Sequence, residues 1–416
     1  MQKLRLLSLM TAAGALLSTT QSNAAGYAIR ETGNLLGQSF AGSAAIAGDV
    51  STMAANPATM ASLTKNQVAA FVSWINPSAK FSQTSATPHT GGNDNGGENA
   101  FVPAFYGAWD AHPNFKLGLA ITSPFGLKTK YKSTWVGRYD TIKSSMQSFN
   151  VNPSAAFKIN DEWAIGFGVS AQYVDVELIK AVRTAGADAT SRVRGHDLGM
   201  GANFGVTYEP MKGTRFGLAY RSVVSHGIDG HLSVKSSTGT TLIGEHAVTD
   251  LRTPDSLTFS ASHEINPEWS VMGDIQWTGW SNFRTLKIKG ANSGTLRQDQ
   301  VFGWKSTMFY ALGVNYKPNK DWVLRVGTAY DQTPTKTATR TAAIPDQNRI
   351  WASCGVDYNY GDAWTFKLAY AHLFVKKAAI NFSTAANTAL GGAATNYQGR
   401  FKSSVNMVGL QANWKF

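Results

Sequence analysis

Six short polar turns recur along this chain at nearly constant spacing, and an aromatic residue follows each turn. The spacings between successive aromatics are 48, 53, 53, 53 and 42 residues. Each period holds two segments of alternating polarity and one longer polar loop, which is the pattern of a β-hairpin. Six turns separate seven hairpins and therefore predict fourteen strands. The aromatics that follow the turns are Phe115, Trp163, Phe216, Trp269, Trp322 and Trp364.

The predicted strands have one apolar and one polar face. Between Trp322 and Tyr330 every second residue is apolar or Thr, and the series begins and ends with an aromatic ring. Such alternation separates the two faces of a sheet, and aromatic ends on the apolar face are typical of the girdles of an outer-membrane barrel. A soluble β-sandwich is the alternative, but its apolar face has no need of aromatic ends. We therefore predict an all-β protein, a 14-stranded antiparallel transmembrane β-barrel.

Charged residues of the predicted strands lie on the polar face, which faces the lumen of such a barrel. An Arg or Lys on the lipid face costs about 2–4 kcal/mol at the bilayer midplane, so this placement is expected. The residues with this predicted luminal orientation are Lys158, Asp274, Arg325, Asp357 and Lys367.

The first 24 residues have the pattern of a secretory signal peptide. Lys3 and Arg5 precede an apolar run, and Ser22 and Ala24 occupy the minus-three and minus-one positions of a cleavage site. We therefore expect residues 1–24 to be removed. No later stretch of the sequence has the 18 or so consecutive apolar residues of a spanning helix. These features predict a multi-pass protein of the outer membrane of a Gram-negative bacterium.

The last strand and the net charge indicate partners. Alternating apolar residues close on Phe416, which is similar to the terminal-strand signal that the outer-membrane assembly machinery recognises. The formal net charge of +12 is basic, but no basic stripe with interleaved aromatics predicts a nucleic-acid partner. We expect the charge to neutralise outer-membrane lipids and lipopolysaccharide and to attract anionic substrate into the lumen.

Residues 25–64, ahead of the barrel at 65–416, do not alternate. They are rich in Gly and Ala and contain only three charged residues, whereas disordered tails favour charge and low hydrophobicity. Asn56-Pro57-Ala58 introduces a turn, because the residue before a proline is pushed away from helical geometry. We interpret residues 25–64 as an N-terminal plug, or hatch, that folds inside the barrel lumen, with the first wall strand beginning near Gln67.

The plug and several further stretches resemble the FadL-type outer-membrane transporters of long-chain fatty acids and other hydrophobic compounds. The resemblance covers essentially the whole chain after the signal peptide and departs in the sequence and length of the loops. It implies ligand capture among extracellular loops, a luminal pocket, a shift of the plug, and sideways release through a gap at a kink in the third strand. The matching stretches are Asn56–Ala58, Ile121–Leu127, Trp135–Tyr139, Thr278–Ser281, Tyr330–Pro334 and Ile344–Trp351.

The third strand carries the predicted exit. Its alternating run meets Ser123-Pro124-Phe125-Gly126, where Pro lacks a ladder donor and Gly weakens pairing. A sideways exit suits an oily ligand, because passage into water costs about 0.8 kcal/mol per CH₂. The alternative is that Pro124 merely ends a strand. The family resemblance favours a functional interruption.

Candidate site residues are few. A GxSxG nucleophile motif does not occur in the sequence, and we expect no enzyme activity, catalytic residue or cofactor. His226, Asp229 and His231 suggest a metal site at first sight. They lie at the top of one strand, however, and the sequence does not imply the further ligand that would complete a site, so no metal is expected. Apolar walls with one or two cations would hold a fatty-acid carboxylate, and parity directs Lys305 of the tenth strand and Lys180 of the fifth strand into the lumen. The alternative for each is an ordinary solvated luminal charge, which is the commoner role of a lysine in a barrel.

Three functions remain open at this point. The favoured one is a passive, ligand-gated transporter of long-chain fatty acids or other hydrophobic small molecules that works as a monomer. A general porin is an alternative, but a porin lacks a plug and has a constriction of opposed charges. A structural or adhesive barrel, or an outer-membrane enzyme, is the third possibility.

Overall fold

The computed structural model describes residues 26–30, 33–85, 89–385 and 392–416, which form a closed barrel of fourteen wall strands. Eight of these strands are continuous: β1 (Gln67–Gln83), β2 (Ala100–His112), β4 (Lys143–Lys158), β5 (Trp163–Val182), β6 (Ala189–Met211), β11 (Trp322–Asp331), β12 (Arg349–Tyr360) and β14 (Thr395–Lys415). The other six are each interrupted once: β3 (Phe115–Thr122 and Gly126–Lys130), β7 (Thr214–Arg221 and Val224–Lys235), β8 (Thr241–Thr253 and Ser256–Glu264), β9 (Trp269–Thr278 and Thr285–Gly290), β10 (Leu296–Val301 and Thr307–Tyr316) and β13 (Trp364–Val375 and Ala378–Thr384).

Antiparallel pairing joins each wall strand to its sequence neighbour and closes the sheet on itself. The closing ladder runs between β1 and β14, from Gln67 opposite Lys415 to Gln83 opposite Gly399. A closed sheet leaves no unpaired edge, which is required of strands that cross the hydrocarbon core. The predicted fourteen-stranded antiparallel barrel and the predicted start of β1 at Gln67 are thus confirmed.

Asparagine side chains fix several of the short turns that define the repeat. Asn266 Oδ1 accepts hydrogen bonds from the backbone N–H groups of Glu268 (3.0 Å) and Trp269 (2.8 Å). Asn160 and Asn319 make the same pair of bonds in their turns. An Asx turn of this kind satisfies the backbone donors at a strand start and sets the following aromatic at the barrel rim. The period in the sequence is therefore a period in turn chemistry.

The outward face of the barrel is apolar and carries an aromatic girdle near the turns. Trp163 stacks on Tyr208 of the next strand with ring centroids 4.2 Å apart, and Trp269 stacks on Tyr316 at 4.5 Å. Such cross-strand pairs stabilise the sheet and suit the membrane interface. Exposed apolar side chains cover the band above the girdle, among them Phe167, Phe204, Leu218, Ile275, Leu312, Val326, Phe366 and Leu410.

The predicted luminal charges face inward. Asp274, Arg325, Asp357 and Lys367 are all buried inside the barrel. Lys158 lies at the rim near the short turns, where it pairs with Asp161 at 2.7 Å. The alternation in the sequence therefore assigned the two faces of these strands correctly.

An N-terminal segment, residues 26–30 and 33–64, fills part of the lumen. It contains three 3₁₀ helices, Gly33–Gln38, Val50–Ala54 and Pro57–Ser62. Two further 3₁₀ turns, Trp280–Asn282 and Thr337–Thr339, lie in the extracellular half of the wall and in a loop. Within the described ranges, no helix is long and apolar enough to cross a membrane. The predicted signal peptide, residues 1–24, lies outside the described residues.

Candidate functional site

Two cavities lie one above the other inside the barrel. The outer cavity, of about 110 Å³, lies near the long loops and is walled mainly by apolar side chains of β4–β10. The middle cavity, of about 130 Å³, lies closer to the middle of the wall and mixes apolar groups with Arg30, Arg221 and Asp331. Stacked cavities of different polarity are suited to a ligand that has an apolar chain and a polar head.

An aromatic cluster separates the two cavities. Tyr27 lines the outer cavity, whereas Phe125 and Trp280 line the middle cavity. The Tyr27 ring contacts Trp280 edge-on at a centroid distance of 4.6 Å and Phe125 at 5.8 Å. The contact between these rings therefore lies where the linings of the two cavities meet. The cluster is completed by Phe283, Phe302 and Trp304.

Tyr27 also ties the N-terminal segment to two interrupted stretches of the wall. Its carbonyl accepts a hydrogen bond from Gly126 N (2.8 Å) in β3. Its hydroxyl donates to the Arg252 carbonyl (3.2 Å) in β8. Arg252 lies in a part of β8 that has no partner on β9. Among the residues of β8 that precede Ser256, only Ala247 and Val248 pair with β9. One residue thus occupies, through its backbone carbonyl and its hydroxyl, polar groups of both interrupted strands.

The predicted interruption of the third strand is present. β3 breaks between Thr122 and Gly126, and β2 pairs with it only as far as Phe105 opposite Ile121. The broken edge bonds instead to the N-terminal segment, because Ile29 N donates to the Pro124 carbonyl at 2.8 Å. Proline has no N–H to offer a neighbouring strand, which explains why the ladder stops here.

The four residues of this break are buried. Ser123 and Phe125 expose only 6% and 5% of their surface, and Pro124 and Gly126 are buried as well. Phe125 is held inward by β4, where its N–H donates to Ser148 Oγ at 2.9 Å. The gap in the wall is therefore filled from inside, by the N-terminal segment and by its own aromatic side chain.

Asn56-Pro57-Ala58 forms the start of a 3₁₀ helix at the base of the segment. Asn56 Oδ1 accepts from Ala58 N (2.9 Å) as the helix N-cap, and Pro57 occupies the first position, where its missing N–H costs nothing. Asn56 Nδ2 donates to the carbonyls of Ala44 (2.7 Å) and Val206 (3.1 Å). The tripeptide therefore joins two parts of the segment to the wall strand β6.

Two wall glycines admit this tripeptide. A Cβ atom on Gly205 would overlap the Asn56 carboxamide, and a Cβ atom on Gly166 would overlap the Ala58 backbone. Only glycine, which has no Cβ atom, lets another chain segment approach its backbone this closely. The turn is thus seated directly on the inner surface of β5 and β6.

A buried ion network anchors the segment on the opposite side of the barrel. Lys367 Nζ lies 2.6 Å from Asp49 Oδ2 and 3.4 Å from Asp357 Oδ2. Arg325 binds the same Asp357 carboxylate and also donates to Gln38 of the segment. Removal of one partner from such a network leaves a buried charge without compensation, so the network fixes the position of the segment.

Lys180 lies in the wall of the outer cavity, as predicted. It is half-buried, and the described part of the chain provides no ion pair or hydrogen bond for its ammonium group. Asp140, in the loop between β3 and β4, lines the same cavity. These two are the only charged residues among the described residues that line the outer cavity.

Asp140 is held by two elements of the extracellular end, the loop between β11 and β12 and strand β14. Its Oδ2 accepts from Ala342 N (2.6 Å) and from the Tyr397 hydroxyl (2.6 Å). Burial raises the pKa of the Asp140 carboxyl to about 6, while these hydrogen bonds and the nearby Lys180 charge act to lower it. Sequence reasoning did not identify Asp140, because its partners lie about 200 or more residues away in the chain.

The predicted luminal orientation of Lys305 is not observed. β10 stops at Val301 and resumes at Thr307, and Gly303 adopts a left-handed backbone with a φ of 54°. The alternation on which the prediction depended therefore does not extend to Lys305, which is exposed and lines neither cavity. Its neighbour Trp304 is the residue that points inward, into the aromatic cluster.

No cluster of three potential metal ligands occurs among the described residues. His226 is buried and contacts Asp197 and Gln172, whereas Asp229 and His231 are exposed. The side chains considered as a metal site thus lie on opposite faces of β7.

Comparison with known proteins shows which family and which relatives this chain resembles. The family described as "Outer membrane protein transport protein (OMPP1/FadL/TodX)" matches residues 15–416. The long-chain fatty acid transport protein of Salmonella typhi is 27% identical over 405 residues, which cover 90% of this chain and 93% of that protein.

Solved structures share the fold. A Pseudomonas aeruginosa FadL homologue superimposes with a TM-score of 0.87 at 24% identity and covers 94% of this chain and 100% of its own. The Ralstonia pickettii toluene transporter TbuX gives a TM-score of 0.70 at 18% identity, with coverage of 95% and 99%. The described barrel, its girdle and these matches identify a Gram-negative outer-membrane protein, and the chain belongs to the OMPP1/FadL/TodX family of outer-membrane transport proteins.

Proposed function

We propose that this chain is a passive transporter of long-chain fatty acids or other hydrophobic compounds that releases its ligand sideways into the membrane. The observation that supports the proposal most directly is the outer cavity, where an unpaired cation lies among apolar walls beside an interrupted wall strand. Related proteins are named for the transport of fatty acids and of toluene. The family name describes transport proteins, which favours a transporter over an enzyme.

The carboxylate of a fatty acid binds at Lys180 in this proposal. A charged head in an apolar site is very costly unless an opposite charge meets it. Lys180 supplies such a charge, and Leu127, Met146 and Leu251 supply apolar contact for the chain. Lys305 was the other candidate, and it is a less suitable partner because it is exposed and lines neither cavity.

The N-terminal segment acts as the plug, with residues 25–64 as its extent and 65–416 as the barrel. Asn56, Pro57 and Ala58 hold its base against β6, and Tyr27 closes the aromatic cluster at its other end. A ligand that displaces Tyr27 from the cluster also removes its bonds to β3 and β8. Ligand arrival is therefore coupled to release of the wall interruptions.

The lateral exit lies at Ser123, Pro124, Phe125 and Gly126. Once Tyr27 and Ile29 withdraw, the β3 edge has no strand partner on β2 at this level. An acyl chain that leaves here enters lipid, and avoids the roughly 0.8 kcal/mol per CH₂ that exposure to water costs. A general porin is less consistent with the fold, because the segment occupies its lumen.

We further propose that the protein works as a monomer within lipopolysaccharide and outer-membrane lipids, after insertion by the outer-membrane assembly machinery. Self-closure of the sheet between β1 and β14 means that one chain completes the wall. Each barrel then carries its own cavities and its own plug.

The test combines ligand identification with point variants. Mass spectrometry of lipophilic molecules that co-purify with the protein identifies the ligand class. Lys180→Met should weaken binding of a long-chain fatty acid by about 1.5–3 kcal/mol, the range for a hydrogen bond to a charged group. It should leave an alcohol of equal chain length unaffected. Lys305→Met is the matched control and should change neither. Equal losses for both ligands in Lys180→Met would contradict a carboxylate site.

A further inference from the structure

The outer cavity contains one anion as well as one cation. Among its lining residues in the described chain, Lys180 carries the positive charge and Asp140 the negative charge. The rest of the wall is apolar or uncharged, and includes Val176, Ile228 and Phe302. A ligand head group that reaches Lys180 therefore arrives in the field of a carboxylate that is already there.

Asp140 has one oxygen committed and one oxygen free for this interaction. Oδ2 accepts both bonds, from Ala342 N and the Tyr397 hydroxyl. Oδ1 has no hydrogen-bond partner in the described part of the chain, and the carboxylate makes no direct ion pair with Lys180. The two charges attract each other across the cavity without closing it.

Charge counting distinguishes two classes of ligand. With Asp140 ionised and Lys180 protonated, the cavity is neutral, and a neutral apolar ligand leaves it so. An anionic head group adds a second negative charge to a site of low polarity, and a buried charge without compensation is very costly. A proton taken up on Asp140 restores neutrality and leaves Lys180 to pair with the ligand alone.

We propose that Asp140 is a specificity-determining residue of the outer cavity, and that an anionic ligand binds at Lys180 together with one proton from solvent, which Asp140 accepts on Oδ1. A neutral hydrophobic ligand binds without a proton. The inference rests on the proposed function, because it assumes that ligand occupies the outer cavity.

The surroundings of Asp140 allow it to accept this proton. Besides Lys180 of β5, the titratable groups that act on it are Tyr397 of β14 and Tyr131 of its own loop, and both phenols are buried. The negative charge of Asp94, in the loop between β1 and β2, also acts electrostatically on Tyr131. Burial already raises the pKa of Asp140 to about 6, so one further negative charge nearby moves it toward neutral pH.

The experiment uses probes whose own charge does not change with pH. Dodecyl sulfonate is the permanent anion and dodecanol is the neutral control, and each is titrated calorimetrically into the full chain in a non-ionic detergent. Proton uptake is obtained at pH 7 from two buffers of different ionisation enthalpy. We expect uptake approaching one proton per sulfonate bound, and an affinity that falls by up to about tenfold per pH unit above pH 6. Dodecanol should bind with no uptake.

Two variants identify the group that takes up the proton. Asp140→Asn removes the negative charge, so sulfonate binding should become independent of pH and tighter at pH 8, with no proton uptake. Tyr397→Phe removes one hydrogen bond to Asp140 but keeps the carboxylate of Asp140, so proton uptake should persist. Because that hydrogen bond lowers the pKa of Asp140, the pH dependence of sulfonate affinity should move to higher pH. Unchanged uptake in Asp140→Asn would overturn the proposal.

The two proposals fail in different ways. If Lys180→Met abolishes sulfonate binding while Asp140→Asn changes nothing, Lys180 is the anion site and the role of Asp140 is refuted. If neither variant alters sulfonate or dodecanol binding, ligand does not occupy the outer cavity, and the assignment of this cavity under the proposed function is refuted as well.

Discussion

Substitution of Asn56 by Ala tests how the N-terminal segment is held in the lumen. The change removes the N-cap bond to Ala58 and the two bonds that Asn56 Nδ2 donates to Ala44 and Val206. Loss of a cap costs about 0.5–2 kcal/mol and each of the two lost side-chain bonds about 0.5–1.5 kcal/mol, so the segment should be destabilised by about 1.5–5 kcal/mol. The wall ladders do not involve this side chain.

Hydrogen exchange measures the effect locally. Because about 1.4 kcal/mol corresponds to a tenfold change in an equilibrium constant, amides of residues 50–62 should exchange about 10- to 4,000-fold faster in Asn56→Ala. Amides of the wall strands should keep their protection, and the barrel should remain heat-modifiable on gels. Conductance in planar bilayers should rise as the segment opens.

Asn266→Ala is the matched control for Asn56→Ala. Asn266 also accepts two backbone hydrogen bonds, but in an exposed turn between β8 and β9. It should leave exchange in residues 50–62 unchanged. If Asn56→Ala accelerates exchange equally in the wall strands, or not at all in the segment, the reasoning about this anchor is refuted.

Three further changes test the other contacts of the segment and the exit. Lys367→Met leaves Asp49 buried without its ion pair, which costs about 3–5 kcal/mol and should be measured as faster exchange near Asp49. Deletion of residues 25–61 should leave a folded, heat-modifiable barrel with altered hydrophobic uptake and a raised leak of small solutes, and both would be unchanged if the segment were not a plug. Replacement of Pro124–Gly126 by β-branched residues should lower hydrophobic uptake while the barrel assembles normally, and normal uptake would indicate another exit.

The sequence predicted the features that depend on neighbouring residues. Period-2 alternation identified the strands and the orientation of Arg325 and Asp357, because each side chain's face follows from its parity within one strand. The Asx turns recurred as Asn-containing segments, and the break at Pro124 followed from its missing N–H. Local chemistry was sufficient for the wall and for one interruption in it.

Contacts between distant parts of the chain were not predictable in this way. The parity that placed Lys305 inward failed because the left-handed Gly303 and the gap in β10 reset the side-chain direction. Asp140 meets Tyr397 across 257 positions, and Tyr27 meets Arg252 across 225 positions. A periodic pattern within one strand carries no information about such pairs.

The placement of Tyr27 explains how a closed wall and a sideways exit are compatible on the proposed mechanism. A strand break that faces lipid is costly, because each unsatisfied backbone group in hydrocarbon costs several kcal/mol. Here the free groups of β3 are bonded by Tyr27 and Ile29, and a free carbonyl of β8 by the Tyr27 hydroxyl. On this mechanism, the wall opens when the N-terminal segment withdraws, and no ladder between wall strands has to break. The free energy of the bonds that the segment gives up is then the least that ligand binding must supply. On the proposed mechanism, a ligand too small to displace the Tyr27 ring leaves those bonds intact and the exit closed.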